Sequence, residues 1–243
     1  MTLSVIRDNN LFLLHPPSEA GVSAGLFDPK WLESSGLLLA RQNAGRASVA
    51  FFREGNYEFV LRDYRRGGAV AKISKGDYLW TGLRQTRAWR ELALLQSMTE
   101  KRLPVPRPRA ALVRKSGLSY QAALITYRLA ETETFADMLK KNPVPETVWQ
   151  AIGGVIRVFH DHNICHADLN ASNILINSDR RIFLIDFDKG RIMPAGRDGW
   201  KFDNLARLQR SLKKFHGRYP VFHYSAAAWS LLAKGYANRV GQI

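Results

Sequence analysis

The chain has 243 residues, 46% hydrophobic and 23% charged, an ordinary globular balance that excludes a mainly disordered protein. It holds 36 Lys and Arg against 21 Asp and Glu, a formal charge of +15, which favours polyanionic partners: nucleic acid, anionic lipid headgroups or phosphorylated substrates. A single cysteine, Cys165, excludes an intramolecular disulfide and suits a reducing compartment.

The first 30 residues, with Pro16, Pro17 and Gly21, read as loop-rich. Their apolar stretch is too short and too broken by charge for a signal peptide. No later stretch reaches the roughly 18–20 apolar residues of a spanning helix, so the chain is expected to be soluble or to lie on a membrane surface. Strand signals follow at residues 48–52 and 57–64 around the turn Glu54-Gly55-Asn56, predicting a hairpin. Residues 69–73 extend that sheet or begin the next loop. Over residues 81–98 the period changes, with Leu83, Ala88, Leu92 and Leu95 on helical spacing. The prolines from Pro104 to Pro108 end that helix, and strands are expected at 109–114 and 120–127. Helices are then expected at 134–141, 146–162, 202–215 and 225–237, with two short strands at 174–176 and 182–185. The class is therefore α+β: a sheet-rich N-lobe with one helix over residues 1–130, and a mostly helical C-lobe over residues 131–243.

One segment carries most of the chemistry: His166-Ala-Asp-Leu-Asn-Ala-Ser-Asn-Ile-Leu-Ile, followed by Leu184-Ile-Asp-Phe-Asp. Asp168 sits on a loop after an amphipathic helix, Asn173 follows five residues later, and Asp186 ends an apolar strand. Phosphoryl transfer needs such a set. One carboxylate, Asp168, orients the acceptor hydroxyl and takes its proton. An amide oxygen, Asn173, and a second carboxylate, Asp186, hold Mg²⁺ against the phosphates of ATP. Magnesium keeps several waters, so two protein ligands suffice. Any one Asx residue alone would read as a turn cap; the joint spacing does not.

This pattern resembles the catalytic and metal loops of the protein-kinase-like superfamily. Asn170 stands where protein kinases usually have lysine, and Asp188 where the metal loop usually has glycine. No Ala-Pro-Glu follows, and there is little room for an activation loop, so a small-molecule or glycolipid kinase fits better than a protein kinase. The segment Gln42-Asn-Ala-Gly45-Arg-Ala-Ser-Val49 lies where a phosphate-covering loop belongs, with Gly45 as its glycine. The cation that positions the phosphates is Arg62 on the strand Phe59-Val-Leu-Arg62, with Lys72 as its rival. Glu91, on the helix, is the expected partner. In this superfamily the joining segment, residues 127–131, binds adenine through its backbone.

The stretches Leu61-Arg-Asp-Tyr-Arg-Arg-Gly-Gly, Thr86-Arg-Ala-Trp-Arg-Glu-Leu and Ile185-Asp-Phe-Asp-Lys-Gly-Arg, with the catalytic loop, resemble the bacterial 3-deoxy-D-manno-oct-2-ulosonic acid (Kdo) kinase family. The likeness runs over roughly residues 30–215. It implies transfer of the ATP γ-phosphate to the 4-hydroxyl of Kdo on a lipid A precursor during lipopolysaccharide inner-core assembly. It also implies a peripheral position at the cytoplasmic face of the inner membrane. Residues 60–115 hold 14 Lys and Arg and four acids, a surface suited to an anionic bilayer. Lys189 and Arg191 are candidates for the acceptor's carboxylate or phosphate, or for pairing with Asp188 or Asp198; His166 is expected to brace the loop. No obligate protein partner is evident, and no nucleic-acid motif with stacking aromatics accompanies the charge. The rival readings are a heptose kinase of the lipopolysaccharide core, a small-molecule kinase, and a non-catalytic basic binding module.

Overall fold

The computed structural model describes residues 2–44, 47–64 and 78–238, without the side chains of residues 43, 44, 47 and 48. Gly45, Lys72 and the segment 69–73 lie outside the described residues. The chain divides into two compact units, Met1–Glu100 with Pro106–Arg128, and Lys101–Val105 with Leu129–Ile243. Lys101–Val105 belongs to the second unit although the chain on both sides of it belongs to the first. Leu103 and Val105 are buried there, and the Pro104 carbonyl accepts the Leu184 N–H at 3.0 Å.

The first unit is an antiparallel sheet. Its strands are β1 (Ser4–Asp8), β2 (Leu11–His15), β3 (Leu38–Ala44), β4 (Ala47–Glu54), β5 (Tyr57–Asp63), β6 (Tyr78–Leu79), β7 (Pro108–Ser116) and β8 (Ser119–Tyr127). Seven of them run in the order β1-β2-β7-β8-β5-β4-β3, and β6 pairs with β8. Two helices belong to this unit, α1 (Pro29–Ser34) and α2 (Arg87–Glu100). Leu26, Phe27 and Leu32 close over one sheet face, packing on Phe52, Phe59, Leu61, Leu112 and Ile125. Each such buried side chain contributes about 1.5–3 kcal/mol. Strand alternation turns Ala111 and Val113 to the opposite face, and α2 packs against β7 and β8.

Three expectations change here. The first 30 residues are not mainly loop: β1 and β2 form a hairpin turning at Asn9, whose φ is 49°, and β2 pairs with β7. Asparagine tolerates that left-handed position without the glycine that usually announces it. Residues 42–44 and 47–49 lie on the paired strands β3 and β4, so a strand precedes the expected pair. The helix expected from residue 81 begins at Arg87, because the buried Thr86 hydroxyl accepts the Trp89 N–H (3.3 Å) and caps it.

The second unit holds α3 (Phe135–Lys141), α4 (Glu146–Asp161), α5 (Gly199–Arg218) and α6 (Ala226–Ala237). Between them lie β9 (Thr132–Thr134), β10 (Ile164–Cys165), β11 (Ile174–Asn177), β12 (Ile182–Leu184) and β13 (Arg191–Ile192). The stripe Val148, Trp149, Ile152, Ile156 and Phe159 buries one face of α4. Strands β9, β11 and β12 form one small sheet, and β10 pairs with β13 in another. No helix among the described residues is long and apolar enough to cross a membrane.

Candidate active site

The catalytic loop starts where α4 stops. Asn163 takes a left-handed turn (φ 58°), β10 follows, and His166 begins the loop. His166 ties the loop to the metal-loop strand: its Nδ1 accepts the Asp168 N–H (3.1 Å), and its Nε2 lies 2.8 Å from the Ile185 carbonyl. Because the Asp168 N–H must donate, Nδ1 is the bare nitrogen and Nε2 carries the proton. Burial disfavours the imidazolium and lowers the His166 pKa, in keeping with that neutral tautomer. His166 therefore braces the loop.

Asp168 is fixed by its backbone and open at its carboxylate. Its carbonyl accepts the side-chain amides of Asn170 and Asn173, both at 3.0 Å, and its Oδ2 accepts from Asn170 at 3.2 Å. The side chain remains 61% exposed, which a group receiving a substrate proton requires. Asn170, at the position of the usual lysine, also caps the short turn Ala171–Asn173 through Ser172 N–H (2.9 Å).

Asn173 and Asp186 are linked through one residue, Ile185. The Asn173 carbonyl accepts the Ile185 N–H at 3.0 Å, while His166 engages the Ile185 carbonyl. The next residue, Asp186, sits at φ 63°, and Phe187 then plunges into the core between His166 (4.6 Å) and Phe159 (5.7 Å). A non-glycine residue held in this region marks a site where surrounding bonds over-determine the backbone. The donor set fits magnesium. The Asn173 amide nitrogen is spent on Asp168, so its oxygen would be the donor to a metal, and Asp186 would add a carboxylate. Among the described residues there is no cluster of three or more His, Cys, Asp or Glu, so a softer, closed metal cage has no counterpart here.

One helix stripe, not anticipated from the sequence, clamps this loop. Asn204, Arg207 and Ser211 share a side of α5. Asn204 Oδ1 accepts the His166 N–H (3.1 Å) and its amide reaches Cys165 Sγ (3.5 Å). Ser211 Oγ accepts the Ala171 N–H (3.3 Å), and Arg207 Nη1 lies 3.3 Å from Asp168 Oδ1. Burial pushes the Cys165 thiol pKa up, against the Asn204 bond and the Arg191 and Arg207 charges, so Cys165 is a small buried side chain. Arg191 lies opposite Cys165 in the β10–β13 pair, and Asp198 is engaged by Lys201 at 2.6 Å.

In the first unit the structure pairs Arg62 with Glu91, Nη2 to Oε1, at 2.6 Å. The Tyr64 hydroxyl donates to Glu91 Oε2 at 2.6 Å. The Glu91 side chain is only 2% exposed. A second buried acid, Glu19, was missed in the loop-rich reading. Arg109 (2.5 Å) and the Tyr127 hydroxyl (2.9 Å) engage it, and the Arg107 guanidinium lies 3.6 Å from the Tyr127 ring centroid. This cluster fixes Tyr127, the start of the joining segment.

A solvent-open carboxylate, an amide oxygen and a second carboxylate, locked to one loop and hairpin, define a phosphotransferase type of site. Comparison with known proteins agrees. The model of the lipopolysaccharide kinase (Kdo/WaaP) family matches residues 32–236, and the chain belongs to that family. It is a kinase. A 3-deoxy-D-manno-octulosonic acid kinase of Photobacterium profundum is 37% identical over 86% of this chain and 87% of that protein. Proteins of the same description from Xylella fastidiosa (40%, covering 82% of this chain and 79% of that one) and Vibrio parahaemolyticus (38%, 83% and 82%) are also similar. Among solved structures, a granulovirus kinase of Cydia pomonella, PK-1, aligns over 64% of this chain and 52% of its own, at TM-score 0.42 and 14% identity.

Proposed function

We propose that this protein transfers the γ-phosphoryl group of ATP to the 4-hydroxyl of Kdo on a Kdo–lipid A precursor. The observation that carries the chemistry is Asp168: a carboxylate open to solvent on a loop whose backbone is bonded at His166, Asn170 and Asn173. The acceptor comes from the relatives, which are described as kinases of this sugar acid.

Asp168 orients the hydroxyl and takes its proton as the new oxygen–phosphorus bond forms. The bond between the γ-phosphorus and its bridging oxygen breaks, and ADP leaves with that oxygen's electron pair. Asn173 and Asp186 would hold Mg²⁺, which when bound neutralises phosphate charge. Arg62, held by Glu91, supplies a permanent cation whose planar fork suits phosphate oxygens.

A position on the cytoplasmic face of the inner membrane fits the first unit's surface. Leu118 (82%) and Leu79 (65%) are exposed beside Trp80, over whose ring the Lys115 Nζ lies at 5.4 Å. Trp80 in turn stacks on Phe12 and bonds Leu118 through its backbone. Exposed apolar side chains rimmed by cations suit the interface of an anionic leaflet, where each basic residue contributes about 1 kcal/mol. Flotation with liposomes containing anionic lipid, and its loss on replacing Arg114 and Lys115 by glutamate, supports this; unchanged flotation rejects it.

The activity test is incubation of the full chain with labelled ATP, magnesium and Kdo–lipid A precursor. Transfer is expected, and Asp168→Ala is expected to lower it by about 10²-fold or more with unchanged circular dichroism. Transfer to a heptose-bearing acceptor lacking Kdo, and not to Kdo, would overturn the assignment.

A further inference from the structure

The three contacts of α5 with the catalytic loop are not alike. Asn204 and Ser211 bond backbone groups, of His166 and Ala171. Arg207 instead reaches the Asp168 carboxylate, the group assigned to take the acceptor's proton.

That contact is poorly explained as a brace. Asp168 is already held through its N–H by His166, through its carbonyl by Asn170 and Asn173, and at Oδ2 by Asn170. The ion pair is long at 3.3 Å, and its partners are 48% and 61% exposed. Pairs so open to water contribute little to stability and exchange partners readily. Meanwhile Asp168 needs an oxygen free when the acceptor hydroxyl arrives, and a sugar acid brings an anion with that hydroxyl. A guanidinium on a rigid helix beside the base is well placed to receive it, and its fork matches a carboxylate with two donors.

We infer that Arg207 is the anion-binding residue of the acceptor subsite, exchanging the Asp168 carboxylate for the carboxylate of the acceptor sugar when the acceptor binds. This rests on the reading that the acceptor is a carboxylate-bearing sugar. The exchange does two things at once: it anchors the sugar close to its reacting hydroxyl, and it frees Asp168 Oδ1 to accept the proton. Arg191, opposite Cys165 in the β10–β13 pair, brings a second cation to the same loop.

Steady-state kinetics of the full chain with two acceptors test this: Kdo–lipid A precursor, and the same molecule with its Kdo carboxylate methyl-esterified. For the wild type, esterification is expected to raise the acceptor KM by about 10-fold or more, the worth of a charge-assisted hydrogen bond. Arg207→Ala is expected to raise the KM for the carboxylate acceptor similarly, to leave the KM for ATP unchanged, and to show no further loss on esterification. Arg207→Lys is expected to recover part of the difference. An Arg207→Ala protein with wild-type acceptor KM, or one that loses kcat equally on both acceptors, overturns this inference alone. A wild type that phosphorylates neither acceptor overturns the Kdo assignment and this inference with it.

Discussion

Gly153 of α4 and Gly235 of α6 bring their helices together backbone to backbone. A Cβ on Gly153 would stand 2.0 Å from the Leu232 carbonyl oxygen, and one on Gly235 would stand 2.0 Å from that of Gln150. Neither obstacle is a flexible side chain, so alanine at either position must push the helices apart. Gly153→Ala or Gly235→Ala is therefore expected to destabilise by more than the about 1–3 kcal/mol typical of overpacking. Urea unfolding of the two variants measures this, and a wild-type midpoint for either would show that the helices separate at no cost.

The buried pair Arg62–Glu91 separates stability from function. Arg62→Ala removes the guanidinium from a carboxylate that is 2% exposed and keeps its bond from the Tyr64 hydroxyl, so a loss of about 3–5 kcal/mol is expected. The double variant Arg62→Met, Glu91→Leu is expected to regain much of that stability and none of the kcat/KM for ATP. Equal recovery of both would make the pair purely structural.

Acid should loosen the second unit through His160. Burial lowers its pKa from 6.5 to about 4, where it meets the Tyr236 hydroxyl at 2.8 Å and the edge of Trp200. The folded value lies below the unfolded one, so between the two the unfolded chain binds more protons. The stability from neutral His160 is complete above pH 6.5 and is lost as pH falls toward 4, by roughly 3 kcal/mol at the limit. His166, also lowered, acts in the same direction. Denaturation curves from pH 7 to 4 should show the decline, with a shallower slope in His160→Phe.

Asn204 holds the loop rather than reacting. Asn204→Leu leaves the His166 N–H without its acceptor in a buried site, costing about 1–3 kcal/mol. Because His166 in turn sets both Asp168 and Ile185, kcat should fall by about 10-fold while the KM for ATP changes little. Hydrogen exchange at the His166 amide reports the lost bond directly.

The candidate set was legible because Asp168, Asn173 and Asp186 sit within nineteen positions of one another on a local frame whose spacing is dictated by backbone bonds. Their braces were not. Asn204, Arg207 and Ser211 approach the loop from 38 to 40 residues away, and nothing in a helix stripe announces what faces it. Glu19 was hidden for the same reason: its partners Arg109 and Tyr127 lie 90 and 108 positions on. The first hairpin was passed over because Asn9, not glycine, makes its turn, and the start of α2 shifted because a threonine cap overrode apolar spacing.

The five residues Lys101–Val105 belong to the second unit, although the chain on either side of them belongs to the first. The polypeptide leaves the first sheet after α2, lays a short thread into the second unit, and only then returns to form β7 and β8, which lie inside the sheet order. No single cut yields two intact halves. A fragment ending at Arg128 would expose the Leu103 and Val105 side chains, and one beginning at Leu129 would leave the Leu184 amide without the Pro104 carbonyl. On the ribosome, too, the sheet's inner strands emerge only after this thread, and the thread must wait for the residues beyond Leu129 before its side chains are buried.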